Sequence, residues 1–287
     1  MKNPGKIDLH MHSTVSDGTD TPEEILSNVK KAGIDLFALT DHDDIKGCRI
    51  IQSIRKNDDP KFICGVEFSC KDELGQYHIL GYHYHPDAQP IIDVVKLGHS
   101  YRLKKVKERL DFLKRQFNIE FPENELKELF RMDNPGKPHI GNLMVKYGYA
   151  PTKETAIKEF INQIHFEQDY VRPEEAIRGI KESSGIPVLA HPSYGSGDQI
   201  IVGEEMDQRL QRLIGFGLEG VECYYSGFTK KLENEMLNFA NQYDLYITAG
   251  SDYHGGNKLI PLGDNHQPLW DEAPDGLKRF LEKIAES

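Results

Sequence analysis

Short apolar runs that each stop in a histidine or a carboxylate constrain this chain more than any other feature. Ile7-Asp8-Leu9 leads into His10-Met11-His12, and Ile34-Asp35-Leu36-Phe37-Ala38-Leu39-Thr40 leads into Asp41-His42. A run from Phe62 to Ser69 carries Glu67, and one from Gln76 to His83 carries His78. Ile186 to Ala190 stops at His191, and Leu245 to Ala249 runs into Gly250-Ser251-Asp252-Tyr253-His254. Alternate side chains of a strand share a face, so His10 and His12 point the same way and can reach one metal ion. Asp8 shares that face, without an evident partner, and is expected deeper in the fold; Leu9 and Met11 turn to the apolar side. A single run of this kind is equally a capping carboxylate or a satisfied core histidine, but recurrence at separate strand ends points to one shared site. Imidazoles with carboxylates suit zinc, iron or manganese, whereas a thiolate-rich zinc site needs cysteines that are not in place.

Between the runs the pattern is helical. Thr21-Pro22-Glu23-Glu24 reads as a capped helix start, with Pro at the first helical position and Glu24 closing a capping box. Further helices are expected from Ile45 to Lys56, at the Arg172-Pro173-Glu174-Glu175 start, from Lys230 to Gln242, and over the tail from Asp275 to Ser287, with another strand over Gly217 to Glu222. Alternating strands and helices predict a largely parallel sheet covered by helices, either a barrel or an open doubly wound sheet, with function at the C-terminal strand edge. The first turn lacks a glycine-rich phosphate loop, which counts against the open sheet. From Ala88 to Glu167 the pattern is helical throughout, with stretches near Val94 to Phe117, Glu123 to Phe130, His139 to Tyr147 and Lys153 to Asn162. This reads as a helical insertion subdomain, 88–167, interrupting a barrel made of 1–87 and 168–287. It is compatible with a lid over the ligand-bearing end and equally with a stabilising appendage.

A net charge of −11 over 287 residues argues against a broad duplex-binding surface, because such surfaces draw most of their affinity from phosphate neutralisation by Lys and Arg. A small anionic substrate is compatible with it, since bound divalent cations offset clustered carboxylates. No apolar run is long enough to span a bilayer, and the N-terminus lacks an apolar signal core, so a cytoplasmic protein is expected. Cys48, Cys64, Cys70 and Cys223 form no CxxC spacing and are expected to be reduced and structural.

The segments His10-x-His12, Ser16-Asp17-Gly18, Leu39-Thr40-Asp41-His42-Asp43, Gly65-Val66-Glu67, His78-Ile79-Leu80-Gly81-Tyr82, Ala190-His191-Pro192 and Gly250-Ser251-Asp252-Tyr253-His254-Gly255 resemble the PHP family, the polymerase and histidinol phosphatase superfamily. Gly136-Lys137-Pro138-His139, followed by Tyr170-Val171 and the helix start at Pro173, resembles more narrowly the branch containing RNase AM and the nucleoside 3',5'-bisphosphate phosphatases. The resemblance covers essentially the whole chain. It implies a distorted seven-stranded β/α barrel holding three divalent metal ions, Mn, Zn or Fe. By analogy His10, His12, Glu67 and Asp252 hold the first ion, Glu67 bridges to a second with His78 and His191, and Asp17, His42 and His254 hold the third. Tyr82-His83-Tyr84-His85 repeats the alternating histidines, and the resemblance alone selects His78; His83 and His85 are then strand-end or loop residues. Lys137 departs from the branch, which more often has Arg before Pro-His.

Closely spaced divalent ions lower the pKa of bound water and neutralise phosphoryl oxygens, so the expected activity is hydrolysis of a phosphomonoester by metal-bound hydroxide. The expected substrate is nucleotide-like, a nucleoside bisphosphate or the 5' end of a short oligonucleotide. Lys137 and His139, with Arg172 as a weaker candidate, would bind the substrate phosphate if the insertion folds over the barrel mouth. Lys in place of Arg keeps a point charge but gives up bidentate geometry. Asp17 and His254 are candidates for proton transfer to the leaving oxygen as well as for ligation. The rival readings are a histidinol phosphate phosphatase, a metal-dependent C–N amidohydrolase, and a non-catalytic phosphate-binding or interaction module.

Overall fold

The computed structural model describes residues 5–132, 134–166, 169–194 and 199–285. Its strands are the apolar runs: β1 (Ile7–Asp8), β2 (Leu36–Leu39), β3 (Lys61–Asp72), β4 (Gly75–Tyr82), β5 (Ile186–Leu189), β6 (Gly220–Tyr225) and β7 (Tyr246–Gly250). They form one sheet in chain order. The Leu9 amide donates to the Ala249 carbonyl at 2.9 Å and Met11 bridges in parallel to Tyr253, so the sheet nearly closes into a barrel. Every residue of β2, β5 and β6 is buried, the pattern of strands covered on both faces.

The helices are α1 (Pro22–Lys31), α2 (Lys46–Ile54), α3 (Gln89–Phe117), α4 (Glu123–Leu129), α5 (Lys137–Lys146), α6 (Lys153–Glu159), α7 (Pro173–Glu182), α8 (Gly203–Phe216), α9 (Lys230–Gln242) and α10 (Asp275–Lys283). Thr21 accepts from the Glu24 amide while Glu24 reaches back to the Thr21 amide, closing the expected capping box. α3 joins two cores. Ile91 and Val94 near its start pack with the barrel strands, whereas Val106 and Leu113 pack with Leu129, Ile140, Met144 and Ala156 of the following helices.

Three features depart from the sequence reading. β4 runs antiparallel to both neighbours, because residues 73–74 form a two-residue turn between Asp72 and Gly75 that leaves no length for a crossover. Regular pairing of β1 ends at Asp8, so His10 and His12 lie on its extended continuation. α8, absent from the sequence reading, buries Met206, Leu210 and Leu213. The 167/168 boundary of the insertion lies outside the described residues, as do Met1 to Pro4 and the last two tail positions, Glu286 and Ser287. No helix among the described residues is long and apolar enough to cross a membrane.

Candidate metal centre

One end of the barrel collects the strand-end ligands. Glu67 of β3, fully buried, stands at the centre. Its Oε2 lies 3.2 Å from His10 Nε2, 3.1 Å from His12 Nε2 and 3.1 Å from His42 Nδ1. Its Oε1 lies 2.9 Å from His78 Nδ1 and 3.2 Å from His191 Nε2. Asp252 Oδ1 is 3.3 Å from His12 Nε2 and 3.6 Å from His10 Nε2, and Asp17 Oδ1 is 3.3 Å from His254 Nε2. The chain thus brings His10, His12, Asp17, His42, Glu67, His78, His191, Asp252 and His254 into one cluster. His78 and Glu67 reach the mouth from within β4 and β3, while His10, His42, His191, Asp252 and His254 follow the C-terminal ends of β1, β2, β5 and β7. His191 and Asp252 have φ of 26° and 58°, left-handed values that turn the chain sharply as it leaves β5 and β7.

The donor atoms fit divalent ions. His10 Nε2, His12 Nε2, Asp17 Oδ1, His42 Nδ1 and Glu67 Oε2 are buried without a hydrogen-bond partner, and buried polar atoms are ordinarily satisfied. Three ligand groups converge: His12, Asp17, His42 and His254; His10, His12 and Glu67; and His42, Glu67 and His78. His12 and His42 each stand in two groups, a sharing that the sequence reading did not assign.

The charges show why the carboxylates stay ionised. Burial pushes the Glu67 carboxyl up, but the imidazoles around it, the raised His10 first, outweigh it and hold the group well below the usual range. Burial likewise raises Asp252, and Lys258 and His10 outweigh it. Burial draws His42 down to about 3, leaving a neutral imidazole suited to ligation.

Supporting residues outside the expected set orient the ligands. Glu222 Oε1 is 3.0 Å from His10 Nδ1, and its Oε2 accepts from the His191 amide at 2.8 Å, so one carboxylate orients two ligands. Asp41 accepts from the Ser13 amide and from the hydroxyls of Ser13 and Ser16, fixing the turn that carries Asp17. Tyr225 Oη donates to Asp252 Oδ2 at 3.0 Å, and the Lys258 ammonium donates to the same oxygen. Asp8, fully buried, accepts from the Ser251 amide and hydroxyl and from the Gly263 amide beneath the ligands. Glu222 was visible as the last residue of an apolar strand, but a lone carboxylate there carries no distinguishing pattern.

Of the expected phosphate-binding residues, His139 lies at the start of α5, its Nδ1 accepting from the Gly136 amide at 3.0 Å. Burial lowers its pKa, and Asp17 opposes that shift. Lys137 Nζ donates to Asn162 Oδ1 at 2.6 Å. Arg172 stands at the outer end of the β3–β4 hairpin, its guanidinium 3.2 Å from Glu73, and does not join the metal cluster. His83 and His85 follow β4 in a loop, and all four cysteines are free and buried.

The PHP domain family model matches residues 8–248. The chain belongs to the PHP domain family. Among relatives of this PHP protein, a 5'-3' exoribonuclease of Haemophilus influenzae is 26% identical over 279 residues, covering 93% of this chain and 98% of its own. A phosphoribosyl 1,2-cyclic phosphate 1,2-diphosphodiesterase of Eggerthella lenta is 29% identical, over 88% of this chain and 96% of its own. A 3',5'-nucleoside bisphosphate phosphatase of Chromobacterium violaceum is 25% identical, over 93% and 95%. A crystal structure from Bifidobacterium adolescentis, described as a candidate metal-dependent phosphoesterase, superposes with a TM-score of 0.81 at 26% identity, covering 98% of each chain. This PHP protein is a metal-dependent phosphoric ester hydrolase.

Proposed function

We propose that the protein hydrolyses a phosphomonoester of a small nucleotide-like substrate, a nucleoside bisphosphate or the 5' end of a short oligonucleotide, at a centre of three divalent ions. The observation that carries this reading is the set of buried His10, His12, His42, Asp17 and Glu67 atoms without hydrogen-bond partners, gathered in overlapping ligand groups. His10, His12, Glu67 and Asp252 would hold one ion; Glu67, His78 and His191 a second; Asp17, His42 and His254 a third. The ions, when bound, supply an acidified water and neutralise the phosphoryl oxygens. The chain's part is to orient and to exclude solvent. Glu222 holds the His10 ring, Asp41 holds the Asp17 turn, and burial of the ligand set keeps competing water away. His139 and Lys137, from the start of α5, each bind a phosphate oxygen of the substrate, Lys137 from the side turned away from the metal cluster, whereas Arg172 reaches it only by leaving Glu73. His254 or Asp17 delivers the proton to the leaving oxygen. Relatives named as an exoribonuclease and a bisphosphate phosphatase support the nucleotide-like class.

The test is a panel of nucleoside bisphosphates, 5'-phosphorylated oligonucleotides, nucleoside monophosphates and histidinol phosphate, each with Mn²⁺, Zn²⁺ or Fe²⁺. Turnover should be fastest on the first two classes and vanish in His12→Ala. Preference for histidinol phosphate, or an active His12→Ala variant, contradicts the reading.

A further inference from the structure

Two loops that carry ligands, residues 13–20 with Asp17 and residues 251–257 with Asp252 and His254, are tied to each other. The Thr19 amide donates to the His254 carbonyl at 3.2 Å, and the Gly256 amide to the Thr19 hydroxyl at 2.8 Å. The approach is close, since a Cβ on Gly255, whose φ is 62°, would overlap Thr19 Oγ1. Asn257 completes the tie. Its Nδ2 donates to the Asp17 carbonyl at 2.7 Å and its backbone amide turns back to the His254 carbonyl at 3.3 Å, so one residue holds the main chain of two ligands.

A distant helix grips Asn257 in turn. Lys153, the first residue of α6, donates through Nζ to the Asn257 carbonyl at 3.1 Å and to its Oδ1 at 2.9 Å. α6 packs in the second apolar core through Ala156, so Lys153 reaches from that core to a ligand loop of the barrel. Its base is fixed: Thr152 caps α6 by accepting from the Thr155 amide at 3.1 Å, and the Lys153 stem lies against α5, where a Cβ on Gly141 would stand 3.1 Å from Lys153 Cγ. An ammonium has donors and no acceptor, so it engages only the oxygen end of an amide. Lys153 therefore sets which way the Asn257 side chain faces, and leaves its nitrogen end turned to Asp17.

We propose that Lys153 is a positioning residue of the metal centre: by fixing the Asn257 amide it holds Asp17 and His254 at the spacing an ion needs, and so sets the affinity for the ion they share with His42. The inference rests on the metal-centre reading. Asp17 Oδ1 lies 3.3 Å from His254 Nε2 and 3.9 Å from His42 Nε2, and with His12 these residues offer ligand atoms within 4.8 Å of one another. A shift of about 1 Å in either loop loosens such a group. Lys153 acts on it through Asn257, from the far side of the loop.

The test is a calorimetric titration of the metal-free full chain with Mn²⁺, paired with amide hydrogen exchange before any metal is added. Lys153→Met keeps the packed stem and removes the donors. It should weaken one ion by about tenfold or more and leave the others unchanged, while Lys153→Arg recovers part of the loss. Asn257→Ala should lose the same ion, and the double variant should lose no more than Asn257→Ala alone, because both changes break one chain of contacts. In the metal-free protein, Lys153→Met should speed exchange at the Thr19 and Gly256 amides. A wild-type chain that takes up no divalent ion fails the metal-centre reading. If it does take them up, equally tight binding of every ion by Lys153→Met, or unaltered exchange at Thr19 and Gly256, overturns this proposal alone. An equal loss of every ion, with a lower melting temperature in the metal-free protein, marks a merely structural lysine and overturns it as well. Should Lys153→Met fail to fold, Asn257→Ala decides: it must weaken one ion and spare the rest.

Discussion

Glu67 faces five imidazoles through two oxygens, and its neighbours leave it no freedom to turn away. Residues one step out share in that control. Glu222→Gln should keep the fold yet weaken metal affinity by about 10–100-fold, measured by competition with a chromogenic chelator, because the amide cannot orient His10 and hold the His191 amide with the same charge. Gly250 is equally confined: a Cβ there would meet His10 Cβ at 2.2 Å and Glu222 Oε1 at 2.5 Å. Gly250→Ala should therefore lower both the melting temperature and the bound-metal count, whereas a surface Gly→Ala control should change neither. The nine clustered residues were legible because His, Asp and Glu stand at or just past the ends of apolar runs, with the family resemblance choosing His78 over His83 and His85. Glu222 and Lys258 were not. Each looks like an ordinary charged residue until the fold shows what it touches.

At the scale of elements, α3 joins two apolar cores, and its Arg102 grips Asp43 beside the His42 loop while also reaching Ser69. Breaking a buried pair by removing one partner typically costs about 3–5 kcal/mol. Arg102→Met should therefore lower stability by an amount of that order in denaturant unfolding; a loss below about 1 kcal/mol would show that Asp43 finds another partner or reaches water. Boundaries set by local chemistry were readable from sequence. The Thr21 capping box starts α1, and α9 spans Lys230 to Gln242 as expected. α8 was hidden, since Val202 offers no side-chain cap and Gly203 enters with φ of 60°. The reversal of β4 depends on the brevity of the 73–74 turn, a constraint that the alternation of strands and helices obscured.

Across the whole molecule, buried cations couple stability to pH. Lys105 has its ammonium pKa drawn from 10.5 to about 7, so between those values the unfolded chain binds more protons than the folded one, and stability rises with pH over that window. Lys105→Met should raise the melting temperature at pH 7, by more than about 1 kcal/mol in stability, and flatten the rise toward pH 10. An unchanged slope would show that Lys105 is solvated in the native protein. Metal ions act in the same thermodynamic sense: ligands that bind only the native state stabilise it, so chelation should lower the melting temperature. The central claim is that the convergent histidines and carboxylates form a metal centre that hydrolyses phosphoesters. It is tested most directly by elemental analysis of the purified protein alongside phosphomonoester turnover, before and after chelation. The account predicts three divalent ions per chain, activity lost with the ions and restored when they are returned; full turnover by chelated, metal-free protein would contradict it.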